Sequence, residues 1–166
     1  LLGAVGGLEA CMGIPGAKPR QIAECKIELA DIYLFLDEVW EATLLYSQVD
    51  KDFKNDPIGH QAKYKNARLS FYIGEFDWAK TQLDVLKAAT SKFIANDALE
   101  LSLLISDNMD PDSGSIGLQH YGKAELFFYR NQDSLALATL DSINQLGLSH
   151  PLFDEVMFLK AQIYIK

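Results

Sequence analysis

Cysteine is scarce: Cys11 and Cys25 are the only two in 166 residues. So sparse a pair indicates no disulfide framework; the two thiols could meet across the Pro/Gly turn between them, and the favoured reading is two ordinary buried or half-buried thiols. Histidine is equally thin. His60, His120 and His150 stand far apart, without the tight spacing of a zinc site, so no metal is expected. No apolar run approaches the ~20 residues of a membrane helix, which excludes membrane insertion within this segment. Lys and Arg form no cluster and the net charge is −8, which excludes a nucleic-acid backbone or an anionic membrane as the main partner.

Motifs for chemistry are missing as well. The Gly-rich stretches GAVGG (3–7) and GIPGAKP (13–19) have no following Gly-Lys-Ser/Thr and no preceding strand. They read as helix ends and a turn, not as phosphate loops. In DPDSGS (110–115) a calcium loop begun at Asp110 would need its glutamate where Tyr121 stands, so this is a surface loop. No Gly-x-Ser-x-Gly occurs, and no Cys/His pair has a catalytic context. The chain is read as no enzyme and as needing no cofactor. Its opening, LLGAVGGLEAC, lacks Met and a basic leader region and reads as an internal boundary of a longer protein, leaving cytoplasm and periplasm both open.

Hydrophobic residues, at 49%, are abundant enough for a core. They are arranged in a repeat. LADIYLFLDEVWEATLLYSQV (29–49) and NARLSFYIGEFDWAKTQLDVL (66–86) share few residues but one rhythm, thirty-seven positions apart. Ala30 and Ala42 match Ala67 and Ala79, and the polar break Asp37-Glu38 matches Gly74-Glu75. KAELFFYRNQDSLALATLDSI (123–143) repeats it with Ala124 and Ala136, and Ala161 in KAQIYIK begins it again.

Each unit predicts two helices. Ile27, Ala30, Tyr33 and Leu34 recur at three and four spacing, and Val39, Ala42, Leu45, Tyr46 and Val49 do so after the break. Pro57 is expected just past the end of the second helix, and Asp133 or Ser134 is expected to cap the corresponding helix of the third unit. Alanines twelve apart, one on each helix, let two antiparallel helices cross closely. A single hairpin leaves one apolar face open, so neighbours must stack. The spacing jumps from 37 to 57 between the second and third units. The extra stretch 91–108 predicts an inserted helix with the stripe Ile94, Ala98, Leu101, Leu104, Ile105, capped by Ser91 or Asn96.

These residues resemble the tetratricopeptide repeat (TPR) family: Ala30, Tyr33, Ala42, Tyr46 in the first unit; Ala67, Gly74, Phe76, Ala79, Leu83 in the second; Ala124, Phe127, Ala136, Leu140 in the third; and Ala161, Tyr164 in the fourth. The chain looks most like bacterial TPR proteins. The resemblance implies an all-α fold, a right-handed α-α superhelix (solenoid) of TPR-like hairpins with one inserted helix. The whole of 1–166 is then a single array, with units 22–57, 58–90, 116–150 and the start of another at 152–166. It implies a non-catalytic scaffold that binds a protein, as a peptide or helix, in a concave face lined by Phe35, Tyr64, Arg68, Phe71, Tyr72, Tyr121, Glu125, Phe128 and Tyr129. The family's clamp for a carboxylate terminus is not expected, because only Lys65 fits among Ile27, Asp31, Lys65, Leu118 and Gly122. Other readings stay open: aromatics that bury one another, a helix 91–108 laid over them, a small-molecule pocket, or a purely structural segment of a longer array.

Overall fold

Three helix ends in this protein are built alike. After Phe35, Tyr72 and Tyr129 the chain takes one further residue and then turns through the left-handed region at Asp37 (φ 74°), Gly74 (φ 85°) and Asn131 (φ 58°). In each turn two amides reach back to the last helical carbonyls. Glu38 N–H donates to Tyr33 O at 2.8 Å, Glu75 N–H to Ser70 O at 2.9 Å, and Gln132 N–H to Phe127 O at 2.8 Å. Asp37, Gly74 and Asn131 N–H supply the inner bond of the same motif. This is the Schellman arrangement, which satisfies carbonyls left open at a helix end. Asp, Gly and Asn are the residue types that tolerate positive φ at least cost.

The computed structural model describes residues 2–87, 92–109, 115–145 and 152–166. Among them are nine helices and no strand: α1 Leu2–Met12, α2 Pro19–Phe35, α3 Val39–Asp52, α4 Pro57–Tyr72, α5 Phe76–Leu86, α6 Lys92–Asn108, α7 Ile116–Tyr129, α8 Asp133–Asn144 and α9 Phe153–Ile165. The protein is all-α, and no helix among the described residues is long and apolar enough to cross a membrane.

The paired alanines all lie in the core. Ala30 and Ala42, Ala67 and Ala79, and Ala124 and Ala136 are all fully buried, on the closely packed pairs α2/α3, α4/α5 and α7/α8. A larger side chain there would have to push a packed helix aside, a change that costs about 1–3 kcal/mol. Ala161 on α9 is exposed. The first helices also meet one another: α2 packs on α4, α4 on α7, and α7 on α9. Gly122 is what lets α7 approach α4, since a Cβ there would lie 2.8 Å from the carbonyl oxygen of Phe71.

Several local expectations need correction. Pro57 opens α4 instead of closing α3; Asp56 caps that helix, its carboxylate accepting from Ile58 N–H at 3.0 Å. Proline suits the first helical position because its missing N–H would be unpaired there anyway. Neither Asp133 nor Ser134 caps α8, because the Schellman turn places Gln132 before its first residue, Asp133. Asn96 lies inside α6, and Ser91 lies outside the described residues. GAVGG is the body of α1 and not a helix end. The loop 110–115 lies almost wholly outside the described residues, with only Ser115 among them. Cys11 and Cys25 are not free thiols but form a disulfide. The tight turn at Gly16 folds α1 back along α2 and brings the two Cα atoms to 6.8 Å, within disulfide reach.

The inserted helix behaves as its stripe requires. Ala98, Leu101 and Ile105 are buried, and Ile94 and Leu104 are partly so. It packs chiefly on α5 and more lightly on α4 and α7. That position makes it a wall beside the first helices.

Candidate functional site: a charged aromatic groove

The first helices leave a groove of about 850 Å³ between them, lined from α2, α4, α7 and α9 and flanked by Ile94 and Asp97 of α6. It continues into a second stretch of about 950 Å³ between α4, α6, α7 and α9, with Tyr64, Arg68, Asp97, Glu125 and Gln162 common to both. Helical spacing explains the lining. Gln61, Tyr64, Lys65, Arg68 and Tyr72 fall three and four apart on α4, so one face of that helix carries them all into the groove.

Two charged centres organise the walls. In the first, Lys65 Nζ lies 2.7 Å from Asp31 Oδ2 and 2.9 Å from Oδ1. The same carboxylate accepts from the hydroxyl of the buried Tyr46, and Tyr129 Oη donates to the Asp31 backbone carbonyl at 3.2 Å. In the second, Arg68 pairs with Glu125 at 3.6 Å and sits over the Tyr72 ring, 5.6 Å from its centre. Tyr121 lines the second stretch beside Glu125. A third cation, Lys166, lies 5.2 Å from the Phe128 ring centre and reaches Asn131 and Asp133.

Burial dominates the protonation of these groups. It pushes the Glu125 carboxyl above its ordinary value, against the opposing pull of Arg68 and the Tyr121 hydroxyl. Burial, then the charge of Asp31, pushes the Tyr129 phenol up to about 12. Tyr46, Tyr64, Tyr72 and Tyr121 are raised by the same cause. At neutral pH the groove therefore offers phenol donors, aromatic faces and paired charges. Among the described residues no three His, Cys, Asp or Glu side chains converge to hold a metal ion.

Most of the residues singled out from the sequence do line this space. Tyr64, Arg68, Tyr72, Glu125, Phe128 and Tyr129 line the first stretch, and Tyr121 lines the second. Phe71 is a correction: it is fully buried, packed against Tyr121, Tyr72 and Phe76, and cannot meet a partner. It faces inward because α7 closes on α4 at Gly122, with Phe71 as the near neighbour. Phe35 lies beside the groove, its ring edge-on to Tyr129 at 6.5 Å. Self-burial is thus real but partial: Tyr72 and Tyr121 are nearly covered, while Tyr129 is 38% exposed and Phe158 65%.

Sequence reasoning passed over the Asp31–Lys65 pair as a site feature, although both residues stood on first-helix faces. A helix 91–108 laid over the aromatics was kept open, but its Asp97, Glu100, Leu103 and Asp107, which line the second stretch, were not singled out. Spacing of the acidic residues along that helix was the available signal. No protein-family model matches the chain, and neither does any curated protein.

Proposed function

We propose that this protein is a non-catalytic docking module that holds a polypeptide segment of another protein in the groove. The observation that carries the reading is the groove itself: Tyr64, Phe128, Tyr129 and Phe158 present apolar surface beside paired charges. Such a mixture suits a peptide, because aromatic anchors supply affinity and flanking charges fix register. The serial packing of α2, α4, α7 and α9, and the repeated Schellman turns, support a finer architecture: a right-handed TPR-like superhelix with α6 as the inserted helix. The TPR assignment, the single-array division and a bacterial source remain part of this proposal.

Selection of a random peptide library on the immobilised protein tests the reading, with the bound peptides mapped by NMR shift perturbation. Peptides that perturb Tyr64, Tyr129 and Phe158, and that lose binding in the Tyr129→Ala/Phe158→Ala protein, are the expected result. Selected peptides that map elsewhere, or none, would overturn it.

A second reading has its own observation. On α9, Met157 is 50% exposed, Tyr164 75% and Ile165 85%, an apolar face suited to a further helical layer. On that reading the segment is structural, and the library selection yields no groove binder.

A further inference from the structure

We infer that the second stretch of the groove selects a basic segment, one with Lys or Arg interspersed among apolar side chains. This rests on the docking reading above and adds the chemistry of the occupant. Besides Glu125, five carboxylates line that stretch: Asp97, Glu100 and Asp107 from α6, and Asp154 and Glu155 from α9. None belongs to an ion pair among the described residues. The one cation on its described wall, Arg68, is already engaged with Glu125. Glu155 also keeps Oε2 buried without a hydrogen-bond partner among the described residues.

The first stretch differs. There Lys65 answers Asp31, Lys166 answers Asp133, and Arg20 answers Glu24 and Asp56. The groove is therefore polarised, close to neutral at the α2 side and strongly negative at the α6/α9 side. Low-dielectric walls concentrate such a field and favour a cationic occupant. The carboxylates do not gather into a metal-holding group, so the charge is spread along a wall. Asp97, Glu100 and Asp107 lie three and seven apart on one face of α6, with Leu103 and Leu104 between them. Leu103 is 50% exposed and Phe158 65% exposed. Spread negative charge with apolar surface between complements a chain carrying spread positive charge with apolar side chains between.

The test uses three short labelled peptides of one Leu/Tyr pattern, bearing Lys, Gln or Glu at the intervening positions. Binding is read by fluorescence anisotropy. The Lys peptide is expected to bind about tenfold tighter than the Gln peptide, the increment expected of a few partly exposed charge pairs, and to weaken with salt. The Asp97→Asn/Glu100→Gln/Asp107→Asn protein changes only exposed side chains, and it is expected to bind the Lys and Gln peptides alike. Equal binding of Lys and Gln peptides by the unaltered protein, with both mapped to the groove, overturns the charge selection and leaves docking intact. Failure of all three peptides, together with a library that yields no groove binder, overturns docking and this inference with it.

Discussion

Arg130, just past the end of α7, donates from Nε to the backbone carbonyl of Leu34 at 2.9 Å, across 96 positions of chain. Its Nη2 lies 2.8 Å from Asp37. Beside it, Tyr129 donates to Asp31 and meets Phe35 edge-on. The C-terminal ends of α2 and α7 are thus fastened together past the intervening α4. Asp31, Leu34 and Tyr129 all line the groove, so this fastening fixes one of its walls.

Arg130→Ala removes a buried charged donor from a helix-end carbonyl. Such bonds contribute about 1.5–3 kcal/mol. The urea midpoint should fall accordingly, and amides at the ends of α2 and α7 should lose exchange protection before those of α3 and α5. Uniform loss across all helices would show that Arg130 does not hold these two ends specifically.

Two glycine substitutions should have opposite signs. Gly122→Ala places a Cβ 2.8 Å from the Phe71 carbonyl oxygen, so α7 must shift from α4. The strain, about 1–3 kcal/mol, should exceed the helix-propensity gain of about 1 kcal/mol. At Gly6 a Cβ meets nothing within 4 Å. Gly6→Ala should then stabilise α1 by up to about 1 kcal/mol. Thermal melts and exchange protection of α1 read both; a stabilising Gly122→Ala would refute the close crossing.

The Cys11–Cys25 disulfide joins positions 14 apart and fastens a helix that has no fully buried residue among those described. In the chain-entropy account a loop of this size is worth roughly 3 kcal/mol. Here that stabilisation concerns the docking of α1 on α2. Reduction, or Cys11→Ser/Cys25→Ser, should abolish exchange protection of α1 while the melting of α2–α9 changes little. Two reactive thiols in the untreated protein under denaturing conditions would show that the bond does not form.

Glu125 gives a pH dependence. Its folded-state value is raised above the ordinary 4.5, so the folded protein holds this proton more tightly than the unfolded chain does. Its contribution to stability is fully present below that ordinary value and is lost as pH rises through the folded-state value. As pH rises from below 4.5 through the folded-state value, the unaltered protein should lose stability relative to Glu125→Gln. Urea midpoints of the two proteins across that range check it; a constant difference would mean burial does not control this carboxyl.

The sequence alone determined the paired helices α2–α5, α7 and α8, their buried alanines, the breaks at Asp37 and Gly74, and the stripe on α6, because each follows from spacing along one helix or one turn. It also placed Tyr64, Arg68, Glu125, Phe128 and Tyr129 on faces that do line a groove. What it left undecided depended on distances between elements far apart in the chain. Only the packing of α7 against α4 sent Phe71 into the core, joined Arg130 to Leu34 and set Arg68 beside Glu125. Only the turn at Gly16 made a disulfide of two cysteines, and only the placing of α6 and α9 along one stretch of groove gathered the unpaired carboxylates. Local periodicity specifies which face of a helix is apolar; which helix covers that face is settled by the balance of contacts over the whole chain.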